Sequence, residues 1–172
     1  MSTKRSKHFE IDETYPILLM LQILEFCSMS DYIIIDGDQA VFLPTYGAAI
    51  VVPQPGNITG SGEATLNGKK VCIEGDESSV SVPGCMYMTP SYPIPGVGTL
   101  VIDALESDQA ASHTKSSDTA VILKGVMFKA KFQVQSPAMQ PTPGGPPVPD
   151  STAEYGNGQG MFITTNTKFK GT

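Results

Sequence analysis

The chain has 172 residues, enough for one domain with a hydrophobic core and few for two. Acidic residues outnumber basic ones by 17 to 11, and the net charge of −6 argues against nucleic-acid binding, which needs a basic surface for phosphates. The 17 glycines and 14 prolines favour an all-β fold with many turns. We expect mainly β structure with one or two short helices, as a compact array of short β-hairpins that is sandwich-like or cone-like.

Residues 1–30 are predicted to form a polar tail followed by an apolar helical segment over 17–27. This segment is shorter than the about 20 residues that a membrane-spanning helix needs. Two acidic residues, Asp12 and Glu13, precede it where a secretory signal would be basic, and no small-residue cleavage site follows. We therefore predict no membrane span, and synthesis in the cytoplasm without a cleaved signal peptide. Secretion by another route stays open.

A strand–turn–strand pattern recurs in residues 31–136, which we predict to be a β-rich domain. Its three turns are placed at Asp36-Gly37, Asn67-Gly68 and Lys124-Gly125. Asp-Gly and Asn-Gly are strong hairpin signals, because a two-residue turn that matches strand twist needs positive φ at both positions. Lys-Gly is a weaker signal, since lysine rarely adopts positive φ.

The rest of this domain is predicted from local patterns. Residues 83–98 are rich in proline and glycine, which predicts a long loop or polyproline-like excursion. Asp103 and Glu106 have the spacing of a capping box, which predicts a short helix ending near His113. Further strands are expected near 32–35, 39–43, 48–52, 64–66, 69–73, 78–82 and 128–134.

Residues 137–172 are predicted to be a Pro/Gly-rich linker followed by a C-terminal tail or edge strand. Residues 137–149 contain six prolines and cannot join a strand ladder, which is typical of an extended linker. Residues 156–160 contain three glycines and are expected to be flexible. Residues 161–169 are predicted to be a last edge strand, or a tail that adds to another sheet.

Candidate sites for chemistry are few. Cys72 and Cys85 lie thirteen positions apart and are either buried reduced thiols or a disulfide pair. Zinc binding by these two cysteines and His113 lacks any CxxC or HxxxH spacing. A triad of Cys85, His113 and Asp118 has the chain order of several cysteine hydrolases, but no local signature surrounds Cys85. We therefore assign no catalytic, cofactor-binding or metal-binding residue.

The stretch from Ile58 to Asp76, ITGSGEATLNGKKVCIEGD, combines a glycine-serine turn, a strand, Asn-Gly-Lys, a second strand and Gly-Asp. This series resembles the repeated core of PAAR and PAAR-like proteins, and residues 123–125 resemble a degenerate second copy. The resemblance extends loosely over residues 41–136 and is specific over 58–76. It implies a small β-rich cone that sits on the trimeric spike of a contractile injection system, such as a type VI secretion system.

The family typically holds zinc near its apex with histidines and a cysteine, whereas this chain has one suitable histidine, His113. PAAR-like relatives without the zinc site are therefore the closer comparison. The resemblance predicts a non-enzymatic structural component, namely a spike tip or a secreted cargo-associated protein with a protein partner. Two alternatives stay open: a secreted cysteine hydrolase that uses Cys85 and His113, and a generic β-sandwich binding module.

Overall fold

The computed structural model describes residues 30–172, so the apolar segment predicted over 17–27 lies outside the described residues. The described chain is nearly all β, which confirms the predicted fold class. Its helical element is a 3-10 turn, Asp76–Ser79. The strands are β1 (Asp31–Tyr32), β2 (Gln39–Phe42), β3 (Thr45–Tyr46), β4 (Ala49–Val51), β5 (Gly56–Asn57), β6 (Thr65–Leu66), β7 (Lys69–Lys70), β8 (Ser81–Met88), β9 (Gly96–Ala104), β10 (Ala110–Ser116), β11 (Thr119–Ile122), β12 (Phe128–Ser136), β13 (Met139–Gln140), β14 (Val148–Pro149), β15 (Glu154–Ile163) and β16 (Lys170–Gly171).

Eight strands form one antiparallel sheet in the order β3-β4-β8-β9-β12-β15-β2-β5. The sheet curls on itself, so that β3 lies beside β15 as well as beside β4. The N–H of Leu43 donates to the carbonyl of Gln159 at 2.8 Å in this region. The Tyr46 ring lies directly over Gly158, where a Cβ atom would overlap it. A glycine is therefore needed for the close approach of the two strands.

The curled sheet encloses the main core. Its largest buried side chains are aromatic and contact one another edge-on or tilted, with ring centroids 5.0 Å apart for Tyr87 and Phe132 and 4.9 Å apart for Phe128 and Phe162. Such pairs stabilise a core beyond the area that they bury. Strand alternation produces this core, since Phe128, Ala130 and Phe132 on β12 point inward and Lys129 points outward.

Residues 154–163 are an integral strand of the sheet, contrary to the flexible segment and edge strand predicted for this part of the chain. Strand β15 pairs with β12 through Phe128↔Gly160 and with β2 through Phe162↔Ala40, so it is an interior strand. Preceding it, β13 and β14 form a two-stranded hairpin within the proline-rich stretch that was predicted to be a linker.

The helix predicted from Asp103 to about His113 is wrong. Asp103 lies in β9, a turn follows, and His113 lies in β10. Asp103 and Glu106 bind lysines instead of capping a helix: Lys131 Nζ lies 3.2 Å from Asp103 Oδ1, and Lys129 Nζ lies 3.0 Å from Glu106 Oε1. The spacing of a capping box does not exclude a strand. Here the pairing of β9 with β8 and β12 outweighs the local preference for a helix start.

The loop predicted for residues 83–98 is largely strand. Strand β8 continues through Pro83 and Gly84 to Met88, and β9 begins at Gly96. The register between β8 and β9 shifts between Val82 and Cys85, so Pro83 and Gly84 form a β-bulge with Gly84 at φ +79°. A bulge tolerates proline because its extra residue makes no ladder hydrogen bond.

Of the three predicted hairpins, the structure has the one at Asn67-Gly68. Strands β6 and β7 pair across these two residues, which have φ values of 54° and 79°. Asp36-Gly37 forms a turn and Gly125 adopts positive φ before a bend at Val126, but the segments that flank each of these sites do not pair with each other. A fourth tight turn, at Ser117 and Asp118, joins β10 to β11.

Candidate functional site: a three-sided ring

Three short segments, residues 33–35, 71–73 and 121–123, form a closed ring. Each segment pairs with both of the others, through Ile33↔Leu123, Ile35↔Val71 and Ile73↔Val121. Because the end of each segment meets the beginning of the next, the three segments are the sides of a triangle.

Backbone hydrogen bonds repeat around this ring with three-fold regularity. The N–H of Ile34 donates to the carbonyl of Ile122 at 2.9 Å, that of Ile122 to Cys72 at 2.8 Å, and that of Cys72 to Ile34 at 2.9 Å. Three outer bonds repeat the same pattern at the corners: Asp36 N–H to the Lys70 carbonyl at 2.8 Å, Glu74 N–H to Ala120 at 2.9 Å, and Lys124 N–H to Tyr32 at 2.8 Å. The chain therefore has a pseudo-three-fold axis through this ring.

The two faces of the ring bury different side chains, since neighbouring residues of an extended segment point to opposite sides. Ile34, Cys72 and Ile122 are fully buried in the main core. Ile33, Val71 and Val121 point the other way, into a second apolar cluster with Ala111, Leu123, Leu66 and Ile73. The ring thus separates the curled sheet from a smaller layer on its far side.

A glycine with positive φ ends each side of the ring: Gly37 (φ +82°), Gly75 (φ +105°) and Gly125 (φ +55°). In the first two, an aspartate closes the turn, since Asp38 Oδ2 accepts from Ile35 N–H and Asp76 Oδ2 from Ile73 N–H, both at 2.9 Å. The repeated unit is therefore Ile-acid-Gly-Asp in sides one and two. In side three the Leu123 N–H donates instead to the Gln109 carbonyl at 2.8 Å.

Three two-stranded pairs lie on the far side of the ring, and we call them together the hairpin end. They are β6–β7, β10–β11 and β1–β16. Their registers are equivalent, because Lys70 pairs with Thr65, Ala120 with Lys115 and Tyr32 with Lys170. The first two pairs are hairpins, whereas the third joins segments from distant parts of the sequence. The turn residues Asn67, Gly68, Ser117 and Asp118 of the two hairpins are exposed, and in the third pair Lys170 is exposed while Asp31 and Tyr32 are half-buried.

The motif over residues 58–76 contributes side two of the ring and the segment that packs against it. Gly60 donates its N–H to Asp36 Oδ1 at 3.0 Å, and Gly62 donates to the Val71 carbonyl at 3.0 Å. A Cβ atom at Gly62 would lie 2.7 Å from that carbonyl oxygen. Glycines are required here because the segment runs against the ring backbone.

The residues considered for catalysis or zinc do not form a site. Cys85 is buried in the main core, where its Sγ donates to the Val82 carbonyl at 3.6 Å, while His113 is exposed on β10. Burial raises the pKa of the Cys85 thiol and of the Cys72 thiol, which disfavours the reactive thiolate. Both thiols are free. Over residues 30–172, no three His, Cys, Asp or Glu side chains are grouped so that they could hold a metal ion.

A groove of about 310 Å³ opens at one corner of the ring, between β1 and the end of β15. Tyr32 and Lys124 form one wall, and Met161 and Ile163 contribute apolar surface from β15. Ile163 is 50% exposed. Sequence patterns gave no signal for this groove, because its two walls are more than thirty residues apart in the chain.

Exposed apolar side chains also form a patch on the outer face of the sheet. Ile50 of β4 lies opposite Met88 of β8, and the N–H of Val52 donates to the Met86 carbonyl at 2.8 Å. These four side chains are each between 41% and 56% exposed. Strands β9 and β12 lie between β8 and β15, and β3 lies between β4 and β15 around the curl of the sheet. No helix in the part of the chain that the structure describes is long and apolar enough to cross a membrane.

The self-closing ring with its three equivalent strand pairs gives residues 30–172 the architecture of a β-structured protein built on a pseudo-three-fold axis. The model of the family "Contractile injection system spike tip protein" matches residues 29–172, and the chain belongs to this family. The predicted resemblance to PAAR-like spike-tip proteins is thereby confirmed, as is the role of a structural spike-tip component. A search of curated proteins found no match.

Proposed function

We propose that one copy of this chain caps a trimeric spike, with the ring centred on the three-fold axis of the spike. The cyclic hydrogen bonds among Ile34, Cys72 and Ile122 carry this proposal. A single chain meets a three-fold partner evenly only if it presents three equivalent surfaces, and the ring provides them. Family membership supports protein contacts within a contractile injection system.

The hairpin end is the proposed contact surface. On the opposite face of the ring, Ile34, Cys72 and Ile122 are covered by the main core, so that face is not available to a partner. At the hairpin end the turns of both hairpins and Lys170 of the third pair are exposed, and the three pairs have equivalent registers. Backbone hydrogen bonds and two apolar clusters hold the ring, so the proposal requires no metal ion. We also propose that the chain is loaded on the spike in the cytoplasm and leaves the cell with it.

Co-expression with the spike protein of the same apparatus tests the proposal. Native mass spectrometry should show one copy of this chain for every three spike chains. Three copies for every three spike chains, or no association, would exclude the proposed cap.

Bulky substitutions test the contact surface separately. The double variant Thr65→Trp/Lys115→Trp changes two equivalent exposed positions of the hairpin end. This double variant should no longer bind the spike but should keep its fold, as followed by circular dichroism. The matched control Gln140→Trp changes an exposed residue of the β13–β14 hairpin and should bind normally. Full binding by the double variant would show that the spike contacts another surface.

A further inference from the structure

Apolar side chains are exposed around the point where the described chain begins. Asp31 Oδ2 accepts from the Gly125 N–H at 2.9 Å, and the next residue, Val126, is 69% exposed. The Ile33 N–H donates to the carbonyl of Phe169 at 3.2 Å, and Phe169 is 45% exposed. Residues 30–172 therefore leave apolar surface uncovered next to β1.

The groove at the corner of the ring also borders β1. Tyr32 forms part of one wall, and Met161 and Ile163 contribute apolar surface from β15. Asn166 Nδ2 donates to the Ile33 carbonyl at 2.9 Å and thereby fixes the loop that lines the groove after β15. The groove of about 310 Å³ has room for one or two large side chains of an occupant.

Charged groups of both signs lie around this corner. They are three lysines and two aspartates: Lys124, Lys168, Lys170, Asp31 and Asp108. The two carboxylates accept the backbone N–H groups of residues 125 and 126, at 2.9 Å and 2.8 Å. Because acids and bases are mixed here, the charge of the corner selects neither an anionic nor a cationic occupant. The apolar surface is what an occupant would cover.

The sequence supplies an apolar segment at the same place. Residues 17–27 read ILLMLQILEFC, and nine of these eleven residues are apolar. A segment that is apolar on almost all sides has to be covered by other apolar surface. Three residues, 28–30, connect Cys27 to Asp31. Four residue steps span at most about 14 Å, so the end of the segment has to lie close to β1.

We propose that the apolar segment 17–27 of this chain packs on the groove, with the Phe26 side chain against Met161 and Ile163. Phe26 is the large apolar side chain of the segment that lies nearest to β1 in the sequence. The short connection favours this occupant over a separate protein, because it holds the segment near the groove at an effective concentration of about millimolar. Burial of Phe26 against Ile163 removes apolar surface of both from water, which stabilises the packed arrangement.

This inference does not rest on the proposed spike contact. Tyr32 belongs both to the groove and to the β1–β16 pair of the hairpin end, so the segment would lie beside the proposed contact surface. The packing is a property of the isolated chain and is measured without the spike. Its failure would leave the cap proposal untouched.

Tryptophan fluorescence of the purified full chain tests the inference, because the chain contains no tryptophan of its own. In the reporter variant Phe26→Trp, the emission maximum should be blue-shifted relative to the same variant in urea, and quenching by acrylamide should be several-fold weaker. Adding Ile163→Asp to the reporter should shift the emission to the red and restore quenching, since it places a carboxylate on the groove floor. The milder change Ile163→Ser should act in the same direction, and circular dichroism checks that each variant is folded.

A matched control and a mixing experiment identify the surface that the segment covers. Ile50→Asp changes an isoleucine of similar exposure on the outer face of the sheet, 56% against 50% for Ile163, and should leave the reporter emission blue-shifted. Emission of the reporter at the unfolded position, or emission that Ile163→Asp and Ile163→Ser leave unchanged, would overturn the inference. Equal loss of the blue shift with Ile50→Asp would do the same. Recovery of the blue shift when the Phe26→Trp/Ile163→Asp chain is mixed with unmodified chain would also overturn it, because the segment would then pack on a second copy.

Discussion

The backbone N–H of Cys72 donates a 2.9 Å hydrogen bond to the carbonyl of Ile34, which joins two sides of the ring. Both residues are fully buried, and their side chains enter the main core. This one contact therefore connects the three-fold ring to the interior of the curled sheet.

Cys72→Asp should destabilise the fold by at least about 3 kcal/mol, because it places an unpaired carboxylate in the core. Lys69→Asp, at an exposed site three residues away, should change the free energy of unfolding by less than about 0.5 kcal/mol. Urea unfolding followed by circular dichroism measures both. Equal stability of the two variants would contradict the burial of Cys72 in the ring.

Asp38→Ala should cost about 2–4 kcal/mol, since it removes several hydrogen bonds to a buried carboxylate at once. Asp38 accepts from Thr164 Oγ1 at 2.5 Å, and from both N–H and Oγ1 of Thr165 at 2.9 Å. Amide hydrogen exchange should rise first in residues 164–170, which these bonds fix. Asp118→Asn, at an exposed turn position, is the control, and protection that is lost equally in both variants would refute the assigned role.

Asp150 should make the fold sensitive to acid. Burial alone would raise the pKa of this carboxyl, but hydrogen bonds from Tyr155, from Thr152 and from Tyr87 lower it overall. A carboxyl with a lower pKa in the folded state stabilises the fold above its unfolded pKa, near the ordinary value of 3.8, and this contribution is lost as the pH falls through the folded pKa. Thermal unfolding of the unmodified chain from pH 6 to pH 2 should show this loss, and Asp150→Asn should show a shallower dependence below about pH 4. Parallel curves of melting temperature against pH for the two proteins would contradict this role of Asp150.

Two glycines of β15 should respond differently to alanine. At Gly158 a Cβ atom would overlap the Tyr46 ring, so Gly158→Ala should cost about 1–3 kcal/mol by overpacking. At Gly156 no atom lies within 4 Å of the added Cβ, and Gly156→Ala should be nearly neutral. Melting temperatures by calorimetry compare the two, and a neutral Gly158→Ala would mean that β3 does not lie against β15.

Local signals in the sequence predicted the positions of turns better than they predicted which segments pair with each other. Asn67-Gly68 forms a hairpin because both residues adopt positive φ without help from distant contacts. The sequence pattern groups Gly37 and Gly125 with Gly68, whereas the structural equivalent of these two glycines is Gly75. Nothing local shows that Ile34 bonds to Ile122, since that contact depends on the closed ring.

Glycine content misled the prediction for residues 156–160. Glycines lower strand propensity, which favours flexibility when they are considered one by one. In the structure, Gly158 and Gly160 are the positions over which the Tyr46 and Phe128 rings pack. The groove was equally hidden, because its apolar floor on β15 and its charged wall at Lys124 come together only through the tertiary fold.

The ring has a mechanical consequence for a protein at the front of a driven spike. Every side is bonded to a neighbour at both of its ends, so none of its three sides offers a loose end from which unravelling could start. In the proposed cap, a thrust along the axis would be shared by the three pairs of the hairpin end and would press the ring against the main core. Rupture of the ring would require several backbone hydrogen bonds to break at the same time. That requires more force than peeling one strand from the edge of an open sheet.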